Sequence, residues 1–520
     1  MLLKPFINKI TLFLTKKFMC GILGIASNKP VAQQLYDGLT VLQHRGQDSA
    51  GIMTFRNHFH LKKGNGLVRD VFHTRNMIRL LGNVGIGHVR YPTAGGYDEA
   101  EAQPFFVNSP FGISLIHNGN LTNYESLKEE VSKNNIRYMN TASDSELLLN
   151  VLANEILGLK KKELTPDLLF KAMEVVFKRL KGSYAVIAII AGYGIMAFRD
   201  PYGIRPLCFG KRETDMVPEY MFSSESVALD TLGYEFIADV QPGEVYFIDN
   251  HRNVFSKQVS KKNWGSCIFE HVYLARPDSI IDNVSVYKTR LRLGESLAKK
   301  IKSMNLAIDV VVPVPDSSRS AALPLAQALG VKYREGLVKN RYVGRTFIMP
   351  GQEIRKKSIH YKLNAVPLEL RKRNVLLVDD SIVRGNTSKK IIEMVRAAGA
   401  KKVYFASTAP PLVNPCLYGV DMPSRKDFVA NGLNTEEIAK FIGADKLIYQ
   451  DEKDLLISAK KGNPKITNFC YACMGGKYPT GDITEEMLNK AEQSRGSAQE
   501  SDEFFPHGEE DAKEDQMSLV

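Results

Sequence analysis

The first half of the chain has the hydrophobic pattern of a strand-rich domain. Short β-branched apolar runs occupy residues 183–190 and 245–249, and Gly192-Tyr193-Gly194 after the first of them predicts a hairpin. A helix is predicted over residues 145–157, with Asp144 just ahead as a possible cap. Strands with intervening helices of this kind indicate an α+β domain.

The pattern changes after the polar run at residues 251–262, which we interpret as a linker. Beyond it, apolar strands alternate with helices. The predicted elements are strands at 310–315, 374–380 and 403–406 and a helix at 389–398 that stops at Gly399. This alternation predicts a parallel sheet covered by helices.

Length and composition agree with a multidomain enzyme. A chain of 520 residues exceeds what one hydrophobic core supports, so two or three domains are expected. The net charge of +12 comes from Lys and Arg spread along the chain, which fits an anionic small-molecule substrate, and we expect no nucleic-acid partner. No run approaches the roughly 18 apolar residues of a membrane span. Six unevenly spaced Cys predict no disulfide framework and a reducing, cytoplasmic location.

The two ends of the chain differ in composition from the rest, and we expect both to lie outside the folded domains. Residues 1–17 carry four Lys and no acid, and residues 1–19 are either a short propeptide or the result of an upstream start, with Met19 the initiator. In both cases Cys20 becomes the first residue. Residues 491–520 are polar and acidic, which predicts a disordered tail.

A terminal Cys20 would carry a thiol and a free α-amine on one residue. The amine, with an ordinary pKa of about 8, could accept the proton of the thiol. A lone Cys in this setting is otherwise a small buried core residue, and only its downstream company favours a nucleophile.

Four downstream motifs follow Cys20-Gly21-Ile22 in a fixed order. They are residues 42–48 (LQHRGQD), 87–93 (GHVRYPT), 117–121 (HNGNL) and 143–146 (SDSE). As a set, these closely resemble the class II glutamine amidotransferase domain, a member of the N-terminal-nucleophile hydrolases. The resemblance covers most of residues 20–250. It implies an αββα sandwich that hydrolyses glutamine to glutamate and ammonia.

The resemblance also implies a role for each matching residue. Cys20 would be the nucleophile, Asn118 and Gly119 the oxyanion donors, Arg45 a positioning residue, Arg90 the partner of the substrate carboxylate, Asp144 that of its ammonium, and Thr93 a further glutamine contact. The same residues have structural readings. Asn118-Gly119 is a common hairpin-turn dipeptide, Arg90 could form a surface ion pair, and Asp144 could cap a helix.

Residues 375–388 (VLLVDDSIVRGNTS) form the second motif. A buried strand ends in two carboxylates, and a glycine-containing loop then opens a helix whose free N–H groups suit a phosphate. The run resembles the phosphoribosylpyrophosphate (PRPP) signature of type I phosphoribosyltransferases, although a pair of Asp at a strand end could also serve only as a cap. The PRPP-binding residues it implies are Asp379, Asp380, Ser381, Arg384, Gly385, Thr387 and Ser388.

Two further segments resemble the rest of a PRPP site. Residues 314–319 (VPDSSR) match the pyrophosphate-side loop, where Ser317 would contact a Mg²⁺ ion together with Asp379 and Asp380. Residues 339–346 (KNRYVGRT) match a lid over pyrophosphate, with Lys339 and Arg345 as its cations. A solvated basic loop is the structural alternative for this segment.

Joined in this order, residues 20–262 and 263–490 resemble the glutamine-dependent PRPP amidotransferases. The implied reaction converts glutamine, PRPP and water to 5-phosphoribosylamine, glutamate and pyrophosphate, the first committed step of purine (IMP) synthesis. The resemblance also implies one Mg²⁺ per subunit, purine-nucleotide feedback inhibition and a homotetramer. Ammonia would pass between the sites along a channel, with Tyr91 and Ile348 as wall candidates.

Four of the remaining Cys match the ligands of a [4Fe–4S] cluster in one branch of that family. They are Cys267, Cys416, Cys470 and Cys473, and they would hold one cluster per subunit. A zinc site and four unpaired thiols are the alternatives. Cys208 matches no ligand position and is predicted to lie in the core.

Two other functions remain open at this point. Another class II glutamine amidotransferase would share Cys20, Arg90 and Asn118-Gly119 but should lack the Asp379-Asp380 loop. A PRPP-binding regulator without transferase activity would have no need of a terminal thiol. PRPP-dependent turnover with glutamine separates both from the reaction above.

Overall fold

The computed structural model describes residues 19–91, 99–135, 137–340 and 363–490. The predictions for Thr93, Arg345 and Ile348 fall outside these ranges, as do those for residues 1–18 and 491–520. Within the described ranges, no helix is long and apolar enough to cross a bilayer.

The region up to residue 258 is built on two antiparallel sheets. Its strands are β1 (Gly21–Ala26), β2 (Ser49–Phe55), β3 (Phe59–Asn65), β4 (Val84–Arg90), β5 (Phe105–Val107), β6 (Ile113–Leu121), β7 (Gly182–Ile190), β8 (Gly194–Arg199), β9 (Cys208–Arg212), β10 (Glu219–Ser223), β11 (Glu235–Asp239), β12 (Glu244–Asp249) and β13 (Val254–Gln258). The strand orders are β11-β9-β10-β1-β4-β2-β3 and β13-β12-β8-β7-β6-β5.

Helices cover the outer faces of both sheets. They are Ala32–Val41, Val68–Val71, Thr74–Met77, Tyr124–Asn135, Asp144–Gly158, Pro166–Arg179 and Ser226–Thr231, with a 3₁₀ turn at Glu99–Glu101. Ile22, Ile86, Ile116 and Ile187 meet in the core between the two sheets. Because both faces of each sheet are apolar, each sheet needs a partner on both sides, and the expected αββα sandwich results.

Two local predictions in this region are wrong. The cap of the Asp144–Gly158 helix is Ser143, whose side chain accepts the N–H of Ser145, and Asp144 is already the first helical residue. The run predicted as a linker contains β13, which pairs along the edge of β12. An exposed edge strand carries polar side chains, so its sequence looks like a loop. The predicted hairpin is present as β7 and β8.

The region after residue 258 has eleven described strands, and five of them form the parallel sheet. Its strands are β14 (Ser266–Cys267), β15 (Ile280–Ile281), β16 (Val284–Ser285), β17 (Val310–Pro313), β18 (Lys332–Tyr333), β19 (Leu337–Lys339), β20 (Leu363–Ala365), β21 (Asn374–Asp379), β22 (Lys402–Ser407), β23 (Lys446–Tyr449) and β24 (Phe469–Cys470). Five of them form a sheet in the order β18-β17-β21-β22-β23, in which every pairing is parallel.

Helices pack on both faces of this sheet and bury its central strands β17, β21 and β22 almost entirely. They are Val286–Lys302, Arg319–Leu329, Pro367–Leu370, Asn386–Ala397, Thr435–Ile442 and Glu452–Lys460, with a π-helical turn at Glu270–Leu274 and 3₁₀ turns at Arg425–Asp427 and Ala472–Met474. The helix after β21 begins at Asn386, three residues earlier than predicted, because Gly385 in the left-handed region (φ +76°) ends the loop.

Candidate active sites

Cys20 lies at the entrance of β1, between the two antiparallel sheets. Its Sγ is 3.9 Å from the carbonyl oxygen of Tyr91. Burial raises the pKa of this thiol, while Arg90 and Arg45 nearby act in the opposite direction. A thiol with a raised pKa needs a proton acceptor to become a nucleophile.

Two candidate oxyanion donors lie on β6, which is a continuous strand and not a turn at this position. Asn118 is 1% exposed, and its Nδ2 has no hydrogen-bond partner in the part of the chain that the structure describes. Tyr184 lies opposite Gly119; its N–H donates to the side chain of Asp200, and its C=O accepts the N–H of Asp200, which directly follows β8. Because hydrogen-bonded and non-bonded pairs alternate along an antiparallel ladder, the N–H of Gly119 points away from β7. Both donors are therefore available to a substrate.

Gly119 is required by space at this position. A Cβ there would lie 2.0 Å from the carbonyl oxygen of Ser183 and 2.7 Å from Nε2 of His117. No side chain fits such distances without moving the backbone of β7. The hydrolase motif therefore needs Gly here to keep β6 and β7 paired beside the donors.

Of the two predicted partners of the glutamine main chain, Arg90 is buried and Asp144 is partly exposed. Arg90 is the last residue of β4 and is 7% exposed. Its Nη2 lies 4.0 Å from Oε2 of Glu101. Asp144 accepts the N–H of Leu121 at 2.9 Å and lies 3.7 Å from Nδ1 of His117. Burial by itself raises the pKa of Asp144, but His117 and the hydrogen bonds outweigh it and hold that pKa below its usual value. Asp144 is therefore an anion, as recognition of an ammonium group requires.

Arg45 is hydrogen-bonded to the backbone of Cys20, the predicted nucleophile. Its Nε donates to the carbonyl oxygen of Cys20 at 3.1 Å, while its other nitrogens bond to Glu225 at 2.6 Å and Glu270 at 2.8 Å. All three charged side chains are fully buried. The sequence reading missed both carboxylates. Glu225 follows two Ser in a polar run at the end of β10, and this run could have indicated a functional residue. The sequence around Glu270 contains no comparable pattern.

The carboxylates of Asp379 and Asp380 lie at the carboxyl end of β21, in the centre of the parallel sheet. Ser317 Oγ donates to Asp380 at 2.7 Å, and Ser318 Oγ donates to Asp379 at 3.3 Å. Burial, and then repulsion from Asp380, raise the pKa of Asp379 well above its usual value. Two adjacent buried carboxylates are costly alone, and a divalent cation offsets that cost.

The other predicted PRPP residues follow at the same edge of the sheet. Thr387 and Ser388 lie in the first turn of the Asn386–Ala397 helix, where free N–H groups can bind a phosphate. Arg384 pairs with Asp427 at 2.9 Å, and Lys339 pairs with Asp316 at 3.1 Å. Ser381 Oγ bonds to Asp380. The structure thus collects 314–319, 339 and 379–388 at one site.

The chain matches known families in both regions. Residues 92–231 match the family described as a glutamine amidotransferase domain, and residues 283–420 match the phosphoribosyl transferase domain. A protein from Pseudomonas aeruginosa named amidophosphoribosyltransferase is 56% identical over 92% of this chain and 97% of its own length. One of the same name from Escherichia coli is 53% identical over 91% of this chain and 94% of its own.

The chain belongs to the amidophosphoribosyltransferase family. A solved structure of a member, the glutamine PRPP amidotransferase from B. subtilis complexed with ADP and GMP, is 36% identical. It matches with a TM-score of 0.80 over 90% of this chain and 98% of that one. Membership and fold together explain why a hydrolase sandwich and a phosphoribosyltransferase sheet occur in one polypeptide.

The amidophosphoribosyltransferase fold brings four distant Cys together. Cys267 and Cys470 are opposite each other in the parallel pair β14–β24. The carbonyl of Cys473 accepts the N–H groups of Val413 and Asn414, which places it beside the segment of Cys416. Within the described ranges none of the four forms a disulfide, and all four belong to or pack against one apolar cluster. Cys208 lies in β9 and packs in a different apolar cluster, buried as predicted.

Arg205 is fully buried and lies near Cys267, Cys416 and Cys470. Its Nε and Nη2 have no hydrogen-bond partner among the described residues. Burial by itself lowers the pKa of this guanidinium, but the nearby Cys267, Glu270 and Cys416 outweigh that effect, so the pKa is raised above its usual value. A buried cation with unpaired donors next to four thiols fits a group of net negative charge, such as an iron–sulfur cluster.

No set of three or more His, Cys, Asp or Glu converges closely enough to hold one metal ion in the described ranges. A zinc site would require four thiolates around a single ion. A [4Fe–4S] cluster instead attaches each thiolate to its own iron and keeps the thiolates farther apart. At the Asp379–Asp380 site, two carboxylates suffice, since Mg²⁺ keeps several waters and binds substrate phosphates.

Proposed function

We propose that this chain makes 5-phosphoribosylamine, glutamate and pyrophosphate from glutamine, PRPP and water, the first committed step of purine synthesis. One observation carries the proposal. A partly buried Cys near Arg90 and Asp144, two candidate oxyanion donors on β6, and a paired-carboxylate strand end that opens onto a helix N-terminus occur in the same folded chain. Neither alternative function accounts for both sites.

The first half-reaction uses Cys20 as the nucleophile. Its sulfur attacks the side-chain amide carbon of glutamine, and the resulting oxyanion accepts hydrogen bonds from Asn118 Nδ2 and the Gly119 N–H. The α-amine of Cys20, once residues 1–19 are gone, takes the thiol proton and passes it to the leaving ammonia. Water then hydrolyses the thioester, which releases glutamate. Arg90 and Asp144 hold the substrate's carboxylate and ammonium throughout, with Thr93 as a further contact.

The second half-reaction takes place at the carboxyl end of β21. Ammonia attacks C1 of PRPP, the bond from C1 to the pyrophosphate oxygen breaks, and pyrophosphate leaves. Asp379 and Asp380 hold the ribose hydroxyls and stabilise positive charge at C1, while Thr387, Ser388 and the helix N-terminus bind the 5′-phosphate. Mg²⁺, held by Ser317, Asp379 and Asp380, would neutralise the pyrophosphate. Lys339 and Arg345 belong to the proposed lid.

We further propose one [4Fe–4S] cluster per subunit on Cys267, Cys416, Cys470 and Cys473. Convergence of the four Cys in one apolar cluster near the buried Arg205 supports it. Protein purified without oxygen should contain four irons and four acid-labile sulfides per chain, and Cys473→Ser should lose both, whereas Cys208→Ser should retain them. Zinc in the protein, or no metal at all, contradicts the cluster.

The remaining features proposed for the enzyme concern its regulation, assembly and domain boundary. A homologue of known structure was solved with ADP and GMP, which supports inhibition by purine nucleotides here. We also propose a cytoplasmic homotetramer whose two domains divide at residues 262 and 263. Native mass spectrometry measures the assembly, and inhibition assays with single nucleotides and nucleotide pairs test the regulation.

The decisive experiment measures phosphoribosylamine with glutamine, PRPP and Mg²⁺ together. Turnover should require all three, and release of glutamate and pyrophosphate should be equal. Glutamate release without pyrophosphate identifies another class II amidotransferase. Binding of PRPP without turnover identifies a regulator.

A further inference from the structure

A segment of the second domain lies against the oxyanion strand of the first. Residues 417–419 cross the end of the β6–β7 pair, about 300 residues away in sequence from β6. The carbonyl of Leu417 accepts a hydrogen bond from Asn120 Nδ2 at 3.0 Å, and that of Tyr418 accepts one from Ser183 Oγ at 2.9 Å. Asn120 and Ser183 are opposite each other in the ladder, so the segment is attached to both strands.

Gly419 makes the closest approach. A Cβ at this position would lie 2.8 Å from the carbonyl oxygen, 2.9 Å from the carbonyl carbon and 3.1 Å from the Cα of Gly119. Since every one of these atoms is backbone, no flexible side chain can move aside. The residue against which Gly419 packs is the one whose N–H is the second oxyanion donor.

Among the described residues, no strand pairs with the outer edge of Gly119. The bonding of Tyr184 on β7 to Asp200 leaves both the N–H and the C=O of Gly119 on the edge away from β7. The pairing of β5 along that edge ends at Leu115. The contact with Gly419 and the two hydrogen bonds of its segment take the place of a neighbouring strand.

We propose that residues 417–419 are a positioning element for the oxyanion hole: Gly419 holds the Gly119 peptide in the orientation that stabilises the oxyanion. This inference rests on the glutaminase chemistry proposed above. The segment touches neither glutamine nor the thiol, so it acts only through Gly119. It also makes the hydrolase site of the first domain depend on a backbone contact from the second.

The test is Gly419→Ala, with Gly432→Ala as a matched control. The two glycines have φ angles of +97° and +90°, so alanine introduces the same backbone strain at both. Nothing lies within 4 Å of a Cβ at Gly432, however. Gly419→Ala should lower the kcat of glutamine hydrolysis about 10-fold or more, below the 10²–10³ loss of a whole donor. KM for glutamine and ammonia-dependent synthesis should change less than about 2-fold.

A pair of probes separates positioning from general disorder at Cys20. An aldehyde analogue of glutamine adds to the thiol and forms an oxyanion, so its affinity should fall by the same factor as kcat. Alkylation by iodoacetamide forms no oxyanion, and its rate should match that of the wild type. Equal behaviour of the two Gly variants, or a parallel fall in alkylation, overturns the proposal.

Two milder variants apply if Gly419→Ala does not fold. Ser183→Ala and Asn120→Ala each remove one hydrogen bond to the segment, and each should lower kcat a few-fold with KM unchanged. Unaltered kcat in both overturns the inference. Absence of glutamine-dependent turnover in the wild type and in Gly432→Ala would instead refute the proposed function, so the two failures are distinguishable.

Discussion

Arg45 donates a hydrogen bond from Nε to the carbonyl oxygen of Cys20 at 3.1 Å, and thus fixes the backbone of the nucleophile and not its thiol. The rest of its guanidinium is committed to Glu225 and Glu270. The three charges are buried together, so the group is stable only while every member is paired.

Replacing Arg45 by Lys should therefore destabilise the protein. Lysine keeps the charge but cannot reach both carboxylates and the Cys20 carbonyl at once. We expect a loss of roughly 2–4 kcal/mol in the free energy of unfolding, measured by denaturant titration, together with a lower glutaminase kcat. Arg69→Lys, at an exposed pair with Asp70, should change stability by about 0.5 kcal/mol or less. Equal stability of the two variants would contradict the buried-network account.

Cys20→Ala should lower the rate of glutamine-dependent synthesis by at least about 10³-fold, since no other group can form the thioester. Ammonia-dependent synthesis should persist because the PRPP site is separate. Phosphoribosylamine formation with each nitrogen source measures both. Cys208→Ala, which removes a buried thiol in β9, should retain both activities. Loss of the ammonia reaction in Cys20→Ala would show that the two sites do not work independently.

Asp379→Asn should lower PRPP-dependent pyrophosphate release by about 10²-fold or more, because a charge facing the substrate is lost. Basal hydrolysis of glutamine, measured as glutamate release without PRPP, should stay within about 2-fold. Asp309 lies at the other end of the strands, where its side chain accepts the N–H of Asn374. The control variant Asp309→Asn should therefore leave both reactions unchanged. Chelation of Mg²⁺ should reproduce the Asp379→Asn pattern in the wild type. A proportional fall in both activities would argue against this assignment.

Stability should decline below pH 6.5 because of a buried histidine. His88 is fully buried, and neither ring nitrogen has a hydrogen-bond partner among the described residues; burial, assisted by Arg90, lowers its pKa to about 3. Between pH 6.5 and 3 the unfolded chain binds a proton that folded His88 does not, so the free energy of unfolding falls as the pH falls. His88 contributes up to about 1.4 kcal/mol per pH unit in that window.

His88→Gln should reduce the slope of unfolding free energy against pH between 6 and 4, measured in urea. His73→Gln, at an exposed position, should leave the slope as it is. An unchanged slope in the His88 variant would show that this imidazole is already protonated in the folded state. His271, buried with a pKa lowered to about 4, adds a second contribution of the same sign that both variants retain.

Local sequence was sufficient for the buried apolar strands that it predicted. Apolar runs such as β7 and β21 are buried on both faces, so their pattern is independent of distant residues. Predictions failed where local patterns are ambiguous. Ser and Asp are both favoured N-cap residues, so the sequence does not decide between Ser143 and Asp144. In the structure the carboxylate of Asp144 accepts the N–H of Leu121, and Ser143 is the cap. The edge strand β13 is polar because solvent covers it.

The sequence by itself determined the chemistry: a potential terminal thiol, an Asn-Gly donor pair, and two Asp ahead of a glycine loop and helix. These are short-range signals, since each motif needs only neighbouring residues to be recognisable. Tertiary structure alone decided how the motifs support one another. Glu270 reaches Arg45 across 225 residues, and Gly419 packs on Gly119 across an even longer separation. Contacts of that kind arise from how sheets and domains pack, and no local pattern in the chain encodes them.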